Sequence, residues 1–92
     1  MGTNAVFRAL ADPTRRDILR LLRGGPRSSG AIAQHFPSSW ATVSRHLGIL
    51  RDAGLILAER DGQFINYELN TTVFQDAIDH LLEVMRPRRP NA

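Results

Sequence analysis

The hydrophobic period of this chain changes from helical to alternating at Gly54, and that change limits what the chain can fold into. From Ser39 to Ala53 apolar residues recur at helical spacing, with Val43, Leu47 and Leu50 at i, i+4 and i+7. Past Gly54 the spacing drops to two. "LILAER" and "QFINYEL" flank Asp61-Gly62, a strong signal for a two-residue hairpin turn. The pattern predicts a helix capped by Ser39 and ended by Gly54 in the left-handed conformation, then a hairpin that pairs Arg60 with Gln63. In that register Ala58 faces Ile65 and Ile56 faces Tyr67, and all four share a face with Leu69. Phe64 falls on the other face beside Glu59, where no core accounts for it.

Three helices precede this unit. "NAVFRAL" (4–10) sets Val6, Phe7 and Leu10 on one side. In "DPTRRDILRLLRGG" (12–25) Asp12 is the cap, Pro13 suits the first helical position and Gly24-Gly25 the exit; Ile18, Leu19 and Leu22 form the buried side. "SSGAIAQHF" (28–36) starts at Ser28 or Ser29, turns Ala31, Ile32 and Phe36 inward, and stops before Pro37. A last helix, "NTTVFQDAIDHLLEVM" (70–85), is capped by Asn70 or Thr71 and ended by Pro87. The order is α-α-α-α-β-β-α, mainly α with a β-hairpin wing, and the 92 residues make one domain.

Two short helices joined by a tight turn and followed by a hairpin describe a winged helix-turn-helix, whose second helix enters the DNA major groove. At about 100° per residue, Ala41, Ser44, Arg45 and Gly48 lie roughly opposite the buried stripe of the 39–53 helix. They are small residues plus one long donor, which lets a helix backbone approach DNA. Arg45 can donate twice to guanine, and Thr42 and Ser44 can bond a base or a phosphate. Ser39 and Trp40 sit at the helix start, where free N–H groups favour phosphate. Arg51, further along, is a further candidate contact. In the wing, Arg60 and Gln63 flank the tip and can reach backbone or minor groove. A purely solvated helix face and a polar hairpin tip would read the same way, and Trp40 could pack beneath the helix.

Charge agrees with a polyanion partner. Residues 1–60 hold nine arginines against four acids, residues 61–85 five acids and no base, and the tail adds Arg86, Arg88 and Arg89; lysine is absent. With no cysteine, disulfides and thiolate metal sites are excluded. No apolar run approaches the ~18 residues of a membrane span and no signal-peptide pattern opens the chain, so a cytoplasmic protein without membrane insertion is expected.

Together, "ALADPTRRDILRLL" (9–22) and "TVSRHLGILRDAGLI" (42–56) resemble the ArsR/SmtB family of bacterial transcriptional repressors. "DGQFINYELNTTVFQD" (61–76) looks more particularly like its SdpR-type autorepressor subgroup. The resemblance spans about Asn4 to Met85. It implies a homodimeric winged-helix repressor that binds an operator, often that of its own promoter, and leaves it on a signal. Carried onto this sequence, the recognition residues are Thr42, Ser44, Arg45 and His46, with Asp61 and Gly62 in the wing. His46, at the edge of the buried stripe, also reads as a packed, hydrogen-bonded histidine. Metal-sensing members carry cysteines on the third helix, and here there are none. His80 and Glu83 have the spacing of half a ligand pair on the last helix, but its other half falls near Tyr67 and Leu69, which cannot ligate. No metal or cofactor is therefore expected.

A dimer is also expected from the last helix alone. Val73, Phe74, Ala77, Ile78, Leu81, Leu82, Val84 and Met85 sweep about 180°, where one core contact takes ~100°. One burial is assigned to the domain and one to a partner, with Leu81 and Leu82 dividing between them. Val6 and Leu10 of the first helix join that interface, and a two-fold dimer presents two reading helices to a pseudo-palindromic site. The sequence thus reads as a sequence-specific DNA-binding repressor with no enzymatic activity. An interaction module of the same fold without DNA binding, or a metal-responsive repressor, are the alternatives; the inducer, whether partner protein or small ligand, is not specified.

Overall fold

The computed structural model describes residues 3–87; Arg88 and Arg89 lie outside them. Helix α1 (Thr3–Leu10) is followed after two residues by α2 (Pro13–Leu22). Asp12 caps α2 as its sequence requires, its carboxylate accepting from the Arg15 N–H at 3.0 Å. That bond holds the Asp12 carboxyl below its usual range, against a smaller opposing effect of burial. Helix α2 ends at Leu22, and Gly25 takes the positive φ (131°) that turns the chain away.

The next element is one the sequence pattern does not announce. Arg27–Ser28 form a strand, β1, of only two residues, too short for any period to show. Ser28 then caps α3 (Ser29–Gln34), accepting from the Ala31 N–H at 3.1 Å. Ser39 caps α4 (Trp40–Asp52) in the same way, through the Thr42 N–H. The exit of α4 is a Schellman motif: Leu55 N–H donates to the Leu50 carbonyl at 3.0 Å and Gly54 N–H to that of Arg51 at 2.9 Å. Gly54 carries the left-handed φ of 80° expected of it.

Strands β2 (Ile56–Asp61) and β3 (Phe64–Leu69) form the hairpin, and β1 pairs antiparallel with β3, giving the order β1-β3-β2. The register differs by two residues from the sequence expectation. Asp61 pairs with Phe64, Arg60 with Ile65, Ala58 with Tyr67 and Ile56 with Leu69. The turn is therefore Gly62-Gln63, with positive φ at Gly62 and not at Gln63, the sign pattern of a II′ turn. The expected register would have placed Leu69 opposite Gly54, which the helix exit already uses. A slip of two keeps every side chain on its expected face.

Helix α5 (Thr71–Met85) follows Asn70, which occupies the cap position without a side-chain bond to the helix. The core draws Ile18 and Leu22 from α2, Ile32 from α3 and Val43, Leu47 and Leu50 from α4, with Leu55, Ile56 and Tyr67 closing it. Two residues expected at a dimer interface belong to this core instead: Val6 and Ala77 are both buried within the chain. Ala9, wholly buried beside Val6, was not expected. Leu10, Val73 and Phe74 are partly buried against the same cluster. Beyond Ala77 none of the described residues of α5 is buried. Ile78, Leu81, Leu82, Val84 and Met85 are all exposed, so Leu81 and Leu82 do not divide between domain and partner as expected.

Candidate nucleic-acid interface

Helix α4 is held by its apolar stripe, which turns Ala41, Thr42, Ser44 and Arg45 to solvent. No carboxylate among the described residues lies within 4.0 Å of Arg45, so its guanidinium is available to an outside acceptor. The Ser39 and Thr42 hydroxyls lie 3.0 Å apart at the start of the helix, one donating to the other. Trp40, in the first turn, is 52% exposed, so the indole is not packed beneath the helix. Arg51 is exposed near the far end of α4 and 3.5 Å from Asp52.

Gly48 sits mid-helix on this face, and a Cβ built there meets no atom within 4 Å. Nothing inside the chain requires a glycine, yet glycine in a helix interior costs about 1 kcal/mol against alanine. Close approach of an outside surface is a physical reason to keep it. Gly48→Ala is accordingly expected to raise stability by up to ~1 kcal/mol in urea unfolding and at the same time to weaken DNA binding. A variant that gains stability and binds DNA unchanged would show that the glycine serves no contact.

His46 is the residue of the recognition list that the structure turns inward. Its side chain is only 11% exposed, with Nδ1 3.4 Å from Arg15 Nη1 and 4.0 Å from Asp12 Oδ2. About 60° from Val43 around the helix, it belongs to the edge of the buried stripe and not to the outer face. The packed reading is the one its position supports, and a groove contact is not assigned to it.

The wing carries Arg60 opposite Ile65, a step back from the tip, so that Gly62 and Gln63 form the tip and Asp61 and Phe64 flank it. Phe64 is 59% exposed on the face away from the core. The wing's core-side face and α4 are thus joined through Leu55 and Ile56, both buried.

Residues 10–58, the segment from the end of α1 into β2, match a family model described as a helix-turn-helix domain. Over 79 residues the chain is 54% identical to the transcriptional repressor SdpR of Bacillus subtilis, spanning 86% of this chain and 88% of that one. The crystal structure of an ArsR family transcriptional regulator superposes with a TM-score of 0.84 at 30% identity, covering 89% of this chain and 90% of that one. The chain belongs to the ArsR family. A further ArsR-type neighbour, a solution structure from Mycobacterium bovis, is described as a homodimeric winged helix-turn-helix DNA-binding domain. It matches with a TM-score of 0.73 at 32% identity over 89% of this chain and 75% of that one.

As an ArsR family member the chain is a transcriptional regulator and not an enzyme. At 79 of 92 residues, its SdpR likeness reaches beyond the reading unit into the last helix. On that helix the His80 ring lies 6.0 Å from that of Phe7, and Glu83 is 3.2 Å from Arg86. Among the described residues no group of three His, Cys, Asp or Glu side chains is placed to hold a metal ion. No helix there is long and apolar enough to cross a membrane.

Proposed function

We propose that this protein is a cytoplasmic autorepressor that binds a pseudo-palindromic operator in its own promoter as a homodimer. The outer face of α4 enters the major groove, with Arg45 against guanine, Ala41 and Gly48 allowing close approach, and Ser39, Trp40, Thr42 and Ser44 near phosphate or base edges. Arg51 and Arg60 add backbone contacts, and the tip Asp61-Gly62-Gln63 follows the neighbouring groove. The observation that carries this reading is the exposed Arg45, free of carboxylate partners among the described residues, set among small residues on a helix whose apolar stripe Val43, Leu47 and Leu50 is buried.

The second half of the proposal rests on α5. A stripe of Ile78, Leu81, Leu82 and Met85 open to water is too apolar to be left uncovered on a stable small protein, and a second copy offers the same stripe. Phe74 and Leu10 continue it toward the domain. The two-fold operation then places two α4 helices on one side of the dimer.

A mobility shift with the DNA upstream of its own gene tests this. A shift that random DNA of equal length does not compete away, from a species sedimenting as a dimer, is expected. Failure to shift any DNA, with the outer face of α4 instead capturing a protein, would make it an interaction module. Release of DNA on adding zinc would make it a metal-responsive repressor.

A further inference from the structure

The stripe that holds α4 to the domain is apolar, and apolar contact is non-directional: it resists separation more than rotation. Yet the direction of Arg45 is set by rotation about the α4 axis. A directional contact one residue on supplies what the stripe lacks.

That contact converges on Arg15. Its guanidinium addresses three acceptors with three nitrogens: Nε donates to the Ala9 carbonyl at 2.7 Å, Nη2 to the Arg8 carbonyl at 3.1 Å, and Nη1 lies 3.4 Å from His46 Nδ1. With the imidazole proton on Nε2, Nδ1 accepts from Arg15. The Arg15 backbone is itself fixed by the Asp12 carboxylate at the start of α2. Arg16 donates to the Leu10 carbonyl at 2.8 Å, so two neighbouring arginines reach the last three carbonyls of α1, of which that of Arg8 also accepts the Ala11 N–H at 3.2 Å.

We propose that Arg15 and His46 are positioning residues for DNA reading, fixing the rotation of α4 by tying it to the C-terminal end of α1. His46 follows Arg45 in sequence and lies about 100° from it around the helix, so the bond that fixes one aims the other. Because α1 also packs on α5, through Phe7 against His80, the clamp makes the aim of the reading helix depend on the helices assigned to the dimer. This rests on the reading of α4 as the DNA-contacting helix.

The test separates positioning from stability and from DNA contact. His46→Leu suits an interior position but offers no acceptor; His46→Asn keeps an acceptor near Nδ1; Arg15→Lys keeps the charge but loses the planar fork. Each is measured for operator affinity, random-DNA affinity, dimerisation and thermal unfolding. His46→Leu and Arg15→Lys are expected to lose about tenfold or more on the operator, the scale of a misaimed bidentate contact, with random DNA nearly unchanged. His46→Asn is expected to retain most of the wild-type affinity. Wild-type operator affinity in His46→Leu, or equal losses on operator and random DNA, would overturn the clamp and leave the DNA reading standing. A wild type that binds no DNA would overturn both.

Discussion

Leu82→Glu is expected to dissolve the dimer while leaving each domain folded, and with it to remove operator binding. Leu82 is 55% exposed in the single chain and Leu81 47%, so a glutamate at either position is hydrated in the monomer and costs the fold little. In a two-fold contact the same carboxylate would be buried without a partner, at about 3–5 kcal/mol for each copy. That is more than a hundredfold in the dimer dissociation constant. A monomer holds one half-site and loses the effective concentration that linkage gives the second, typically a factor of ~10²–10⁴ in avidity. Ala77→Glu is the contrasting case, one turn back on the same helix. Ala77 is buried in the core of its own chain, so its charge should unfold the domain. Ultracentrifugation and thermal unfolding of Leu81→Glu, Leu82→Glu and Ala77→Glu distinguish these outcomes. Wild-type protein that sediments as a monomer at tens of micromolar while binding its operator tightly would show that the exposed stripe of α5 is not the interface.

The same helix shows where the sequence was informative and where it was not. A helical wheel gives angles, so the wide apolar arc and the polar stripe opposite were legible. It carries no information on how far the domain extends along the axis. The body ends near Ala77, and everything apolar beyond it is therefore outward. In the wing, the alternation fixed which residues share a face, and burial of Ile56 and Tyr67 follows it. The turn position was ambiguous because Asp61-Gly62 and Gly62-Gln63 both satisfy hairpin chemistry; the competing use of Gly54 by the end of α4 decides between them. Caps are legible because a cap is local: Asp12, Ser28 and Ser39 each bond an N–H three residues on, whereas Asn70 holds the cap position of α5 without such a bond. The role of Arg15 is not legible for the opposite reason, since its partner His46 is 31 residues away. No period or spacing connects them.

Arg45→Ala is expected to cost ~1–3 kcal/mol at the operator, about ten- to more than a hundredfold in affinity, and to relax the base preference at one position of each half-site. Arg45 is exposed on the outer face of α4, is free of intrachain carboxylates among the described residues, and has alanine- or glycine-sized neighbours at Ala41 and Gly48 that do not hold it off the bases. Its loss should leave random-sequence binding almost intact, because that binding is supplied by phosphate contacts and counterion release. Arg45→Lys should fall nearly as far as alanine at the operator, since an ammonium keeps the charge but cannot match the paired acceptors of guanine. Arg60→Ala provides the opposite signature. Arg60, on the wing strand opposite Ile65, is proposed as a phosphate contact and not a base reader, so its removal should weaken all sequences alike. The log–log salt dependence of binding should become shallower by about 1. Salt titrations of both variants on operator and random duplexes separate the two roles. Equal losses on both duplexes for Arg45→Ala would remove Arg45 from base reading and leave it one more phosphate contact.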